Sequence, residues 1–303
     1  MEAYTDMSET AVIQVPSVLL TDRPGGERTD EALSGWAVSV TERVEGFAKI
    51  LTHYGYEGWV PEDALLPVDP SYLPAREKEG RVRVVTKALS DVLSDRKVQG
   101  KIEEALPRGS FVTAEGPDED GYTPVRTAAG RTGFMPSCGL AERKDSDGFL
   151  LQDTAERNGG KSWFLRQSAL DRPEKELRAA FAATARTYLG TQYRWGGKTP
   201  DGIDCSGLVF MSYFLNGVLI YRDSNPDPRW PVHGIPKEQL DVGDLIFFPG
   251  HVAMYLGEQR YIHCTGYFRN FGCTINSFSP DAPDYRADLP GMIKGYGSIF
   301  NRG

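Results

Sequence analysis

The sequence changes grammar once along its length, and that change limits the folds open to it. Before Lys144-Asp145-Ser146-Asp147 the chain consists of short apolar runs between turn residues. Ala37–Val40, Phe47–Leu51 and Gly58–Val60 are bounded by Gly, Pro and Asp. The pattern returns as Arg81–Val85, Ser110–Ala114, Tyr122–Arg126 and Gly130–Met135. Short strands with frequent turn residues predict small all-β barrels. The two blocks share an ending. Gly58-Trp59-Val60-Pro61 parallels Gly133-Phe134-Met135-Pro136, and a leucine-bearing segment follows each, Ala64-Leu65-Leu66 and Cys138-Gly139-Leu140. We read a degenerate repeat of roughly 60 to 70 residues, hence two copies of one barrel, at 1–72 and 73–145. Pro67 to Pro74 then serves as linker. One larger β domain is the alternative.

The remainder, 146–303, reads as an α+β domain with an N-terminal connecting segment. Leu177, Ala180, Phe181, Thr184, Ala185 and Tyr188 share one face of a helix predicted from Pro173 to Leu189. A second helix is predicted from about Cys205 to Leu215, stopped by Asn216-Gly217. Strands follow at Asp244–Phe248, His251–Leu256 and Arg260–Cys264.

Several function classes recede on charge alone. The formal net charge is -8 and no basic run occurs, so nucleic acid and anionic membrane surfaces are poor partners. No apolar stretch approaches the roughly 18 to 20 residues that cross a bilayer. Met1-Glu2-Ala3-Tyr4-Thr5-Asp6 is acidic and lacks a charged-then-apolar leader pattern. The chain is expected to be cytoplasmic if Met1 is the native start, and secreted or wall-associated if a leader was removed. The four cysteines form no C-x-x-C pair, which disfavours zinc ribbons and redox motifs. No cofactor or metal is expected, and the chain is expected to act as a monomer.

The chemistry gathers around Asp204-Cys205-Ser206-Gly207, which follows the loop Trp195-Gly196-Gly197. A cysteine at a loop-to-helix junction meets unpaired N–H groups and the positive helix end, which predicts a lowered thiol pKa. A cysteine nucleophile needs an imidazole and a group that orients it. There are four histidines. His251 opens a strand after Pro249-Gly250, and His263 lies one strand on, so antiparallel pairing brings the two side by side. His263 would then fix the His251 tautomer. His53 and His233 are expected at the surface. Plainer readings exist for each residue. Cys205 alone is a small buried hydrophobe, His251 a turn cap, His263 a satisfied core histidine, and the three together a metal ligand set.

Gly190-Thr-Gln-Tyr-Arg-Trp-Gly-Gly197, Gly202-Ile-Asp-Cys-Ser-Gly-Leu208, Gly243-Asp-Leu-Ile-Phe-Phe-Pro-Gly-His-Val252 and Tyr261-Ile-His263 resemble, in order, the motifs of the NlpC-type cysteine peptidases. These are papain-like enzymes acting on bacterial cell-wall peptides. The upstream blocks resemble the bacterial SH3-like domains of the YkfC-type subgroup. The resemblance implies two SH3-like barrels before an α+β papain-like domain. It also implies a γ-D-glutamyl-L-diamino acid endopeptidase that releases L-Ala-γ-D-Glu from murein stem peptides with a free N-terminal L-Ala. It makes Cys205 the nucleophile, His251 the general base and acid, and His263 the orienting residue. Tyr193 and the Cys205 N–H would form the oxyanion hole. Trp195, Asp204, Ser206, Asp223, Ser224 and Tyr56 would contact substrate, with Asp223 pairing the substrate amine. The chain departs from the family at Ser34-Gly35-Trp36, where an acidic residue is usual, so that role is absent or moves to Glu31 or Glu57. The segment from Asn225 to Gln239 is also shorter and richer in proline than in the subgroup. A non-catalytic wall-binding protein and a Cys-His acyltransferase or amidase of the same fold are the competing classes.

Overall fold

The structure, a computed structural model, describes residues 9–69, 71–143 and 172–300. The chain divides into two compact units, Met1–Asn158 and Gly159–Gly303.

The first unit holds two antiparallel sheets. Strands β1 (Glu9–Ile13), β2 (Ser17–Thr21), β3 (Arg28–Leu33), β4 (Ala37–Val44), β5 (Phe47–Thr52), β6 (Glu57–Pro61) and β7 (Leu65–Pro67) form one. Strands β8 (Val82–Val85), β9 (Leu89–Leu93), β10 (Ile102–Pro107), β11 (Phe111–Ala114), β12 (Tyr122–Arg126), β13 (Thr132–Pro136) and β14 (Leu140–Glu142) form the other. Their spatial orders are β3-β2-β6-β5-β4-β1-β7 and β10-β9-β13-β12-β11-β8-β14. Strand for strand these are one topology. A 3₁₀ turn follows β6 at Glu62–Ala64 and β13 at Ser137–Gly139, just after the shared Gly-aromatic-X-Pro endings. The repeat is therefore a repeat of fold, far beyond those endings.

Two expectations are corrected here. Helix α1 (Tyr72–Glu79) begins inside the stretch read as linker. Pro74 is tolerated there because its missing N–H falls in the first turn, where no helical acceptor is available. His53 is fully buried, not at the surface. Its ring lies edge-on to Trp36 and Tyr54, with centroids 5.1 and 5.2 Å away. Trp36 is itself fully buried, and its indole N–H donates to the Gly109 carbonyl at 2.9 Å. Gly35 beside it has φ +79°, and a Cβ there would lie 2.6 Å from the Phe111 carbonyl oxygen. The turn where the family carries an acid is thus given over to packing. Of the two substitutes, Glu31 lies buried on β3, and Glu57 pairs with Lys49 at 2.9 Å.

The second unit is α+β. Helix α2 (Glu174–Arg186) and helix α3 (Cys205–Phe214) accompany the hairpin β15 (Lys198–Thr199) and β16 (Gly202–Ile203). The main sheet comprises β17 (His233–Ile235), β18 (Leu245–Phe248), β19 (His251–Gly257), β20 (Arg260–Thr265), β21 (Gly272–Ser277) and β22 (Gly295–Ser298). Its order is β17-β22-β18-β19-β20-β21, antiparallel throughout. His233 opens β17 and is half-buried. Helix α2 buries Leu177, Phe181 and Ala185, the face its periodicity predicts, and Phe181 stacks on Tyr213 of α3 at 4.0 Å. Every residue of α3 is buried, so it is a core helix rather than an amphipathic one. Arg178 of α2 is buried against Asp244 at 2.7 Å, which ties α2 to the start of β18.

Candidate active site

The start of α3 is fixed from three directions. Asp204 is its N-cap, and its Oδ1 accepts from the Gly207 N–H at 2.6 Å. Oδ2 accepts from the Gly196 N–H at 2.8 Å, which fastens the glycine loop to the helix. The Arg222 guanidinium reaches both oxygens at 3.2 Å and donates to Ser206 Oγ at 2.7 Å. Gly207 allows the close approach this requires, because a Cβ there would sit 2.2 Å from the Gly197 carbonyl oxygen. The tetrapeptide thus encodes a cap, a thiol, a hydroxyl and a clearance.

Cys205 occupies the first helical position and is 5% exposed. Its sulfur takes hydrogen bonds from the backbone N–H groups of Val252 and Ser206. Val252 directly follows His251, so the thiol lies beside the start of β19. The thiol is not turned toward thiolate as its helix-start position predicts. Burial pushes it up to about 12, and the Asp204 charge adds to that. The two N–H donors and Arg222 act in the opposite direction and are outweighed.

His251 and His263 meet as expected. Met254 stands opposite Ile262, which makes the two histidines diagonal neighbours across β19 and β20. His251 Nε2 lies 2.8 Å from His263 Nδ1. Burial drives His251 down to about 3, helped by His263 and Arg286, and His263 down to about 4. Burial thus favours the neutral thiol and the neutral imidazoles alike. His263 Nε2 lies 2.9 Å from Asn276 Oδ1. The sequence reading missed Asn276. Its only signal is a polar residue in β21 on the same face as Thr274, which pairs with His263.

Tyr193 pairs in a bridge with Ile203, and its N–H donates to the Phe271 carbonyl at 3.2 Å. Burial and the nearby Cys205 raise its phenol, so it keeps its proton and can donate. The Cys205 N–H, at the first helical position, has no acceptor within its own helix. Trp195 is 59% exposed on the glycine loop. Asp223 and Ser224 are half-buried beyond α3. Asp223 hydrogen-bonds the Tyr221 hydroxyl and shares a small pocket with Val209, Trp230, Phe247 and Val252. Asp204 and Ser206 face Arg222, which braces the helix start. Tyr56 is half-buried in the first unit, its N–H on Thr52 Oγ1 at 2.9 Å.

A thiol at a helix start, with two hydrogen-bonded imidazoles on the neighbouring sheet, is the site of a papain-like cysteine hydrolase. Residues 190–274 match the NlpC/P60 family, and residues 20–65 match a bacterial dipeptidyl-peptidase Sh3 domain. Dipeptidyl-peptidase 6 of Lysinibacillus sphaericus is 34% identical over 278 residues, 90% of this chain and 93% of its own length. Gamma-D-glutamyl-L-lysine dipeptidyl-peptidase of Bacillus cereus is 36% identical over 119 residues, 35% of each protein. The crystal structure of an NlpC/P60 family protein from Bacillus cereus covers 95% of this chain and 98% of its own. It superposes with a TM-score of 0.70 at 21% identity, so the two share a fold. The chain belongs to the NlpC/P60 family of cysteine peptidases.

Proposed function

We propose that the chain hydrolyses the γ-D-glutamyl-L-diamino acid bond of murein stem peptides, releasing L-Ala-γ-D-Glu. The observation that carries this reading is the similarity to dipeptidyl-peptidase 6 over nearly the whole length of both proteins. The hydrogen-bonded imidazole pair and the buried thiol beside the start of β19 agree with it.

In the proposed reaction Cys205 Sγ attacks the γ-carbonyl carbon of the D-Glu residue as His251 takes the thiol proton. The Cys205 N–H and the Tyr193 hydroxyl receive the developing oxyanion. His251 returns the proton to the leaving α-amine of the diamino acid, and the C–N bond breaks to leave a thioester. Water, deprotonated by His251, hydrolyses the thioester and frees the dipeptide. Asp223 is proposed to pair with the N-terminal ammonium, since an ammonium held in a pocket needs a carboxylate. Trp195, Ser206 and Ser224 are proposed to line the peptide. One chain carries all these residues, so the proposed active form is a monomer, which light scattering on a sizing column reports.

The test is turnover of L-Ala-γ-D-Glu-L-Lys, read by mass spectrometry of released dipeptide. Cys205→Ala and His251→Ala should each lose roughly a thousandfold or more. Retained turnover in Cys205→Ala would remove the nucleophile. Equal cleavage of the N-acetylated peptide would remove amine recognition.

A further inference from the structure

The protons on the two imidazoles are not free to choose their places, and the constraint begins at Asp284. Its backbone carbonyl only accepts, and Asn276 approaches it with Nδ2 at 2.6 Å. An amide oxygen facing a carbonyl at that separation would be repelled, so the Asn276 amide has one orientation. Its Oδ1 therefore faces His263 Nε2 at 2.9 Å, and an acceptor there requires that nitrogen to carry the ring's proton. Neutral His263 is then bare at Nδ1. His251 Nε2, 2.8 Å away, must donate to it. One nitrogen is left with a lone pair, His251 Nδ1. It is the ring nitrogen nearer the backbone, and the N–H of the next residue, Val252, meets the Cys205 sulfur.

The arrangement is held from behind. Asp284 is anchored by Arg260, whose Nη2 lies 2.8 Å from its carboxylate, and Ser277 bridges Tyr285 beside it. Asn276 is 4% exposed and His263 is fully buried, so bulk water does not reach the bond between them.

We infer that Asn276 is a positioning residue that, through His263, selects the one His251 tautomer able to take the Cys205 proton. Asn276 contacts neither the thiol nor the proposed substrate. The inference rests on the reading of His251 as general base. Without the amide acceptor, His263 can move its proton to Nδ1 and donate to His251 Nε2. His251 is then protonated at Nδ1 and is no base toward the thiol.

The experiment is nitrogen-detected NMR of histidine-¹⁵N-labelled protein, in which four histidines give few signals. Wild type should show His251 and His263 both protonated at Nε2. Asn276→Leu, which keeps the volume and removes the acceptor, should move the His251 proton to Nδ1. The kcat on L-Ala-γ-D-Glu-L-Lys should fall about 100-fold or more while KM stays within about threefold. A His251 proton that remains on Nε2 in Asn276→Leu would overturn the inference, as would an unchanged kcat. If that variant fails to fold, the wild-type spectrum decides: either ring protonated at Nδ1 contradicts the assignment. A wild-type protein that cleaves no γ-D-glutamyl peptide would sink the functional reading, and the spectra would still decide this one.

Discussion

Arg222→Met removes the brace of the turn that carries Cys205, and its cost can be worked from the contacts. The Arg222 side chain is 2% exposed and the Asp204 side chain 8%. Losing one partner of a buried ion pair costs about 3–5 kcal/mol, because the other charge stays buried without compensation. Asp204 keeps the Gly196 and Gly207 N–H groups at 2.8 and 2.6 Å. Charge-assisted bonds of that kind contribute about 1.5–3 kcal/mol each, so the cost should lie at the low end, about 3 kcal/mol. For a unit of this size that is a drop in Tm of about 6–12 °C. Asp204→Asn keeps the cap oxygen but leaves the guanidinium buried against a neutral amide, at about 3–5 kcal/mol. The double variant keeps a cap and buries no charge, and should cost only about 1–2 kcal/mol. The assay is urea unfolding of all four proteins by circular dichroism, following the transition of the second unit. The singles should sum to far more than the double, with a coupling of about 3 kcal/mol or more. Additive costs, with coupling below about 0.5 kcal/mol, would refute the claim that Asp204 and Arg222 act as one buried pair.

Two further outcomes follow from the neutral thiol and imidazoles. Alkylation of Cys205 by iodoacetamide should be slow at pH 7 and rise steadily to pH 9. It must be read by peptide mass spectrometry, because Cys138 is exposed. A fast rate that is flat below pH 7 would mean a resting thiolate–imidazolium pair. The second outcome concerns acid stability. His251 and His263 fold with pKa values near 3 and 4, below their usual 6.5, so the unfolded chain binds more protons between those values. Their contribution is complete above pH 6.5 and declines as pH falls, until about 4 for His263 and about 3 for His251. At about 1.4 kcal/mol per pKa unit, the loss amounts to several kcal/mol. Urea midpoints of wild type against His251→Gln/His263→Asn should show a steeper acid decline in wild type. Parallel profiles would contradict the burial of neutral rings.

The site was more legible than the scaffold that holds it. Cys205, His251 and His263 stand out because thiol and imidazole chemistry needs those residue types and the elements carrying them have strong period. The helix face of Leu177, Phe181 and Ala185 was legible for the same reason. Strand β3 was not. Arg28-Thr29-Asp30-Glu31-Ala32-Leu33 looks like a polar loop, yet Asp30 and Glu31 are buried, and the Tyr54 hydroxyl donates to Asp30 at 2.6 Å. A partner from another strand reverses the local preference, and no window of sequence contains both residues. His53 was misread for a related reason: its burial comes from Trp36 and Phe111, both distant in sequence. Arg222 and Asn276 bond to the neighbours of Cys205 and His251 rather than to those two residues. Only assembled geometry reveals such residues. The thiol pKa shows a competition of magnitudes: the helix start favours the thiolate, and burial of the same atom favours the thiol by more.

The central claim is that Cys205 carries the acyl intermediate. Rapid acid quench of the protein turning over L-Ala-γ-D-Glu-L-Lys, followed by proteolysis and mass spectrometry, reads this directly. The account predicts one adduct, on the Cys205 peptide, with the mass of L-Ala-γ-D-Glu less water, absent in Cys205→Ala. Continued turnover with no adduct on that peptide, or an adduct on Cys138, Cys264 or Cys273 instead, would contradict it.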